Sequence, residues 1–205
     1  MRGLFVTVEG IDGSGKSTLA RGLHRALGRM GIDCRLTQEP TRTWLGRAVR
    51  RSYTECMDPL IEAHLFIADR AAHTAEIAAM IERGVCVISD RYIDSTLAYQ
   101  GAGLAQRFEG GLEEAISWLM SASALSALTP DLTFLLRIAP EEAMKRISAR
   151  GKKTRFEDLA FLRIVVEAYE ILSKAPRFVV LDASLPEEEM VRIAAERVCS
   201  LLTDG

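Results

Sequence analysis

The sequence predicts an α/β fold: a five-stranded parallel sheet with helices on both faces. Three observations carry that reading. Short apolar runs alternate with longer stretches of helical periodicity along all 205 residues. A glycine-rich turn joins the first run to the first helical stretch. No Pro/Gly/Ser linker, internal repeat or low-complexity tract interrupts the pattern, so residues 1–205 are expected to form one domain.

The elements follow in order. Runs at 4–8, 34–37, 85–89, 132–138 and 178–181 read as buried strands. Leu19, Leu23, Leu27 and Met30 recur at helical spacing after the first, and Gly31 supplies a stop. Asp58-Pro59 opens a long middle helix that Gly84 closes. "SDRYIDSTLAYQGAG" leaves the third strand and enters a helix. Pro140-Glu141-Glu142 starts another helix, with acids where the macrodipole favours them. Ser184-x-x-Glu187 reads as a capping box for the last helix. Sheets of this kind bind ligands at the carboxyl ends of their strands. Residues 9–17, residues 39–42 and the pair Asp90-Arg91 lie there.

Composition narrows the function classes. Apolar residues make up 48% and charged residues 26%, which suits a globular protein. A formal net charge of −2 disfavours a nucleic-acid partner. Cys34, Cys56, Cys86 and Cys199 are irregularly spaced, as are His24, His64 and His73. Neither set suggests a metal site, and the cysteines read as reduced thiols. No apolar run approaches the ~20 residues that cross a bilayer, and the N-terminus lacks a signal-peptide pattern. A cytoplasmic protein with no membrane association is expected.

"VEGIDGSGKSTLA" carries the first chemistry. Gly10-x-x-x-x-Gly15-Lys16-Ser17 fits the phosphate-loop pattern at every fixed position. Glycines let backbone N–H groups face phosphate oxygens, and the following helix points its positive end at the same spot. Gly10, Ile11, Asp12, Gly13, Ser14, Gly15, Lys16, Ser17 and Thr18 are therefore expected to bind a nucleoside triphosphate. Lys16 would reach the outer phosphates and Ser17 would hold Mg²⁺. The guanine-reading Asn-Lys-x-Asp segment of switch GTPases is absent.

What happens to the phosphate depends on the rest of the chain. Asp90-Arg91-Tyr92, Ser95 and Ala98-Tyr99-Gln100-Gly101, together with the loop, resemble the thymidylate kinase family. The resemblance spans essentially the whole chain, continuing in "EPTRTWLG", "LFIADR", "PDLTFLL", "RISARGKKTRFE" and "LDAS". It implies a P-loop kinase fold with a short lid, about 145–157. It also implies transfer of the γ-phosphoryl group of ATP to dTMP, with Mg²⁺. Two polyanions in one site call for several cations, and arginine's fork suits phosphate best.

By this resemblance Arg91 and Arg42 grip the acceptor phosphate, and Glu39 orients Arg91 or metal-bound water. Phe66 stacks on the thymine, and Arg70, four residues on and so on the same helix face, donates to its O4. Asp12 accepts from the 3′-hydroxyl. Ser95, Tyr99 and Gln100 lie near the sugar and base, with Tyr99 crowding the 2′ position. Asp90 binds Mg²⁺ through water and fixes Arg91. Arg47, Arg50 and Arg51 read as exposed helix charges.

From Lys145 to Arg155 the lid carries six cations and no acid: Lys145, Arg146, Arg150, Lys152, Lys153 and Arg155. Some thymidylate kinases place a catalytic arginine in the phosphate loop, where this chain has Gly13. Those lacking it use lid arginines, which points to Arg150 and Arg155 as the transition-state cations. Arg42 matches the other branch of the family. The family's homodimer would use the middle helix through Leu65, Ala68, Ala72, Ile77 and Met80, although those residues equally suit a monomer core. Two rivals stay open: a deoxynucleoside or broader nucleotide kinase, with Glu39 as base, and a nucleotide-sensing regulator.

Overall fold

The strand Phe5–Glu9 (β1) is the middle of the sheet in the computed structural model, which describes residues 2–149 and 158–203. Lys16–Arg29 (α1) leads to Cys34–Gln38 (β2), Trp44–Thr54 (α2) and Pro59–Glu82 (α3). Then come Cys86–Asp90 (β3), Ile93–Leu104 (α4), a 3-10 turn at Ala105–Arg107, and Gly111–Ser123 (α5). Leu132–Arg137 (β4), Pro140–Ser148 (α6), Leu159–Leu172 (α7), Phe178–Asp182 (β5) and Glu187–Thr203 (α8) complete it. All pairings are parallel and the strand order is β2-β3-β1-β4-β5.

The period of two along β1 explains both faces. Val6 and Val8 point into a core shared with Leu19, Leu23 and Leu27 of α1 and Met190, Ala194 and Val198 of α8. Phe5 points the other way, against Ile77 and Ile81 of α3 and Val87 of β3. Further along, α4 and α7 pack together through Ala98, Leu162, Val165 and Ala168. A strand covered on both sides reads as a nearly unbroken apolar run, which is why it stood out in the sequence.

Helix starts follow local chemistry. Asp58 caps α3 by accepting from Leu60 N at 2.8 Å, with Pro59 in the first turn. The last helix departs from expectation. Ser184 does not cap it: α8 begins at Glu187, and Glu189 N and Met190 N both donate to Pro186 O. Asp182 instead accepts from Ser184 N at 2.8 Å, spending that residue on a preceding turn.

The four cysteines are free thiols. Among the described residues no helix is long and apolar enough to cross a membrane. Lys145 and Arg146 of the expected lid belong to α6, within 4.0 Å and 3.5 Å of Glu142. Arg150, Lys152, Lys153 and Arg155 lie outside the described residues.

Candidate active site

The phosphate loop joins β1 to α1 at the carboxyl edge of the sheet, beside the end of β3. β1 neighbours β3 on one side and β4 on the other, so the chain crosses the sheet there and leaves a crevice. Gly15 sits at the N-cap of α1 with φ of 100°, a conformation that suits glycine. Gly13 has φ of 82°, and a Cβ there would meet the Ala143 carbonyl oxygen at 2.6 Å. Helix α6 thus closes the position where some members of the resembling family carry an arginine.

A cavity of about 390 Å³ opens at this loop, lined by Asp12, Lys16, Ser17, Glu39, Asp90 and Arg91, with Thr18, Arg21, Gln38 and loop glycines. Lys16 is buried, and its Nζ donates to Ile11 O at 2.7 Å within the loop's own curve. Burial first, and Arg91 second, bring its pKa down to about 8. Ser17 Oγ donates to Asp90 Oδ2. These two hard oxygens beside a lysine suit Mg²⁺, which keeps waters and takes phosphate oxygens rather than demanding an all-protein cage.

A second cavity of about 150 Å³ adjoins it, lined by Asp12, Pro40, Tyr53, Phe66, Arg91, Ser95, Tyr99 and Gln100. Asp12 and Arg91 line both. Arg91 Nη1 donates to Ser95 Oγ at 2.9 Å, and its Nη2 donates to Asp12 Oδ1 at 2.5 Å. Its guanidinium lies 5.2 Å from the Tyr99 ring centre. Burial opposes the Arg91 charge, but Asp12 and the nearby phenols outweigh it and raise its pKa well above the ordinary range. Burial likewise works against the Asp12 carboxylate, yet Arg91 and then Lys16 hold its pKa below the usual value. Tyr99 Oη accepts from Asp12 N at 3.0 Å, tying the second cavity to the loop backbone.

Arg91 itself has φ of 71°, left-handed and uncommon for a residue with a side chain. Two bonds hold it there: Arg91 N donates to Val8 O at 3.0 Å, and Ser89 Oγ donates to Arg91 O at 2.7 Å. The strained turn is what aims the guanidinium back across the loop. Asp90 faces Ser17; the groups holding Arg91 are Asp12, Ser95 and Gly10 O.

Glu39 contacts neither Arg91 nor the loop. Its Oε2 accepts from Arg70 Nε at 3.0 Å and Nη2 at 2.8 Å, and its Oε1 is 3.0 Å from His73 Nδ1. Next door, Asp69 accepts from Thr41 N at 2.8 Å and Thr41 Oγ1 at 2.5 Å. Neighbouring residues of α3 therefore pin the chain just after β2. Arg70 is fully buried, and its Nη1 has no hydrogen-bond partner among the described residues; Gln100 Oε1, in the cavity wall, has none either.

Arg42 falls elsewhere. It is exposed and lines a groove with Thr41, His73 and Glu76 that shares Gln38 with the phosphate-loop cavity. Arg50, read as an exposed helix charge, turns inward, donating to Pro40 O at 3.0 Å and to Thr41 O at 2.5 Å. Arg47 reaches Arg42 O, and Arg51 pairs with Glu55 on the surface.

Sequence reasoning left Glu9 without a role. Its buried carboxylate accepts from Tyr92 N at 2.8 Å, Ser95 Oγ at 2.6 Å and Tyr169 Oη at 3.1 Å. Burial, then Asp94, raise its pKa to about 7. Its position at the end of β1 was the available signal. Arg21, one turn after Ser17 on α1, is a second missed lining residue that helical spacing could have found.

The profile of the family described as Thymidylate kinase matches residues 8–193. A probable thymidylate kinase of Methanoculleus marisnigri is 44% identical over 95% of this chain and 94% of its own. One of Methanosarcina mazei is 43% identical over 98% of each. A thymidylate kinase of Carboxydothermus hydrogenoformans is 39% identical over 93% of this chain and 94% of its own. With the phosphate loop, the two adjoining cavities and a family match across nearly its whole length, this chain belongs to the thymidylate kinase family.

Proposed function

We propose that the protein transfers the γ-phosphoryl group of ATP to dTMP, giving dTDP and ADP. One observation carries this reading: two adjoining cavities, one at the phosphate loop and one beside Phe66, share Asp12 and Arg91 in their walls. A hydrolase needs only the first. In the second, Phe66 offers a flat apolar face and Gln100 Oε1 a buried acceptor, while Arg70, one turn along α3 from Phe66, keeps a buried donor in Nη1. A pyrimidine base would use all three.

The attacking atom is a phosphate oxygen of dTMP, largely ionised at neutral pH given a second pKa near 6 by analogy with phosphorylated side chains. No general base is required. Catalysis is alignment and charge stabilisation. Lys16 and the loop amides hold the donor phosphates, and Arg91 lies between donor and acceptor. Ser17 and Asp90 would hold Mg²⁺, which when bound neutralises charge on the donor phosphates. Arg150 and Arg155 serve as transition-state cations in this reading, a role favoured by the closure of the Gly13 position. Glu39, the acid that a hydroxyl acceptor would need as base, is engaged by Arg70 and His73. That engagement favours the phosphate acceptor over a nucleoside.

A homodimer is supported by a stripe on α3, where Ile61, Ala68, Ala72 and Ala79 are exposed and Leu65 is partly so. Ile77 and Met80, expected on that face, belong instead to the core beside Phe5. The free thiols suit a cytoplasmic setting.

Incubating the protein with ATP and Mg²⁺ plus dTMP, thymidine or no acceptor, then separating products by chromatography, tests the reading. dTDP formed only with dTMP is the expected result. Phosphorylation of thymidine, or ADP release at the same rate without an acceptor, would refute it.

A further inference from the structure

The geometry points to His73 as a positioning residue for base recognition, acting through Glu39 on Arg70. The inference rests on the reading of Arg70 as the arginine that meets the base.

The arrangement of donors around Glu39 is the argument. A guanidinium can meet a carboxylate end-on, through Nη1 and Nη2, or side-on, through Nε and Nη2. Here Glu39 is met side-on, and by a single oxygen: Oε2 takes both Nε and Nη2. The second Nη2 hydrogen goes to Thr96 Oγ1 at 2.6 Å. Only Nη1 is left over, fully buried and without a partner among the described residues. An unused cationic donor in the interior is costly unless a ligand completes it.

Glu39 cannot complete it, because Nη1 lies on the side of the guanidinium opposite the Nε/Nη2 edge. His73 holds the other oxygen of that carboxylate, with Nδ1 3.0 Å from Oε1. The ring is itself fixed at the other end, with Nε2 2.7 Å from Thr37 Oγ1. In the neutral ring Nδ1–H donates to Glu39 while Nε2 accepts from Thr37. His73 is buried at 4% exposure, with its edge in the wall of the groove beside Thr37. Arg70 follows Phe66 by one turn on α3 and touches Thr96, one turn before Gln100 on α4. Arg70 and its partner Thr96 thus each lie one turn from a residue of the smaller cavity's wall, Phe66 and Gln100. Removing the imidazole leaves Oε1 without its partner, so the Glu39 carboxylate can turn and no longer fixes the Nε/Nη2 edge of Arg70 that aims Nη1.

The test compares two acceptors: dTMP and its counterpart whose base lacks the O4 oxygen, 5-methylpyrimidin-2-one deoxyriboside 5′-phosphate. The wild type should prefer dTMP by about tenfold or more in kcat/KM, the scale of one charge-assisted hydrogen bond. In His73→Ala that preference should fall to within about twofold, through KM for dTMP, with KM for ATP changed by less than about twofold. His73→Asn, whose amide N–H can take the Nδ1 place, should restore most of it. A purely structural role would lower activity with both acceptors equally, and that result overturns the proposal. If His73→Ala does not fold, Thr37→Val should reduce the preference in the same direction, and an unchanged preference in that variant overturns it as well. A wild type that shows no preference removes the base-contact reading of Arg70, and the proposal with it. A wild type that makes no dTDP removes the proposed reaction itself.

Discussion

Arg91 and Asp12, 79 residues apart in sequence, meet at 2.5 Å and form the wall between the two cavities. The arginine is thereby fixed in position and charge before either ligand arrives, which is the preorganisation that charge-developing reactions require. Lysine cannot reproduce this, because one ammonium cannot bond Asp12, Ser95 and a phosphate in a planar fork. Arg91→Lys is expected to lower kcat for dTMP phosphorylation by about 10²-fold or more. The variant should still melt cooperatively, since the Arg91 N and O bonds to Val8 and Ser89 persist, at a temperature lowered by the loss of the side-chain bonds to Asp12 and Ser95. Steady-state kinetics with dTMP and a thermal melt check both halves; a variant within a few-fold of wild-type turnover would remove Arg91 from the reaction.

Glu9 makes a prediction about pH. Its native pKa of about 7 exceeds the ordinary 4.5, chiefly through burial and then through Asp94. Between about 4.5 and about 7 the folded chain holds a proton that the unfolded chain has released. Stability from this group therefore falls as pH rises through that window and levels off above it. Glu9→Gln removes the ionisation while keeping an acceptor for Ser95 and Tyr169. Relative to wild type, the variant should gain roughly 3 kcal/mol between pH 5 and pH 8. Urea denaturation at the two pH values reads this directly, and a pH-independent difference would contradict the assignment.

Phe66 tests the base cavity by a different force. It is 7% exposed, with the Tyr53 ring centre 6.3 Å away, and it lines the smaller cavity rather than the sheet core. Base stacking on an aromatic ring contributes about 1–3 kcal/mol. Phe66→Ala should raise KM for dTMP roughly 5- to 100-fold on that basis, leaving KM for ATP within about twofold. An equal rise in both constants would show a general loss of packing instead.

The strands were legible because burial on both faces writes itself into the sequence as local apolar runs. Each observed strand begins and ends within about two residues of the predicted one, as in Cys34–Gln38 against 34–37. The start of α3 was legible for a similar reason, since Asp58-Pro59 acts on its own neighbours. The phosphate loop is local as well. Side-chain pairing across elements was not legible: Glu39 finds Arg70 31 residues away, and Glu9 finds Tyr169 160 residues away. No periodicity encodes such meetings. Ile77 and Met80 were ambiguous because α3 is apolar on more than one side, and only the packed sheet decides which side is core.

Arg42 and Arg50 show the same limit and yield the sharpest contrast. In sequence, Arg42 follows a strand and Arg50 sits among helix charges. In the fold, Arg42 is exposed in a neighbouring groove, while Arg50 bonds the carbonyls of Pro40 and Thr41. Pro40 lines the smaller cavity, so Arg50 holds part of its wall. Removing a charged donor from two carbonyls costs about 1.5–3 kcal/mol for each strong bond lost. Arg50→Ala should therefore raise KM for dTMP about tenfold or more, whereas Arg42→Ala should stay within about threefold of wild type. If Arg42→Ala carries the larger penalty, Arg42 must swing from its groove onto the acceptor phosphate during the reaction. The grip assigned to it from sequence would then stand, and the rigid reading of this loop would not.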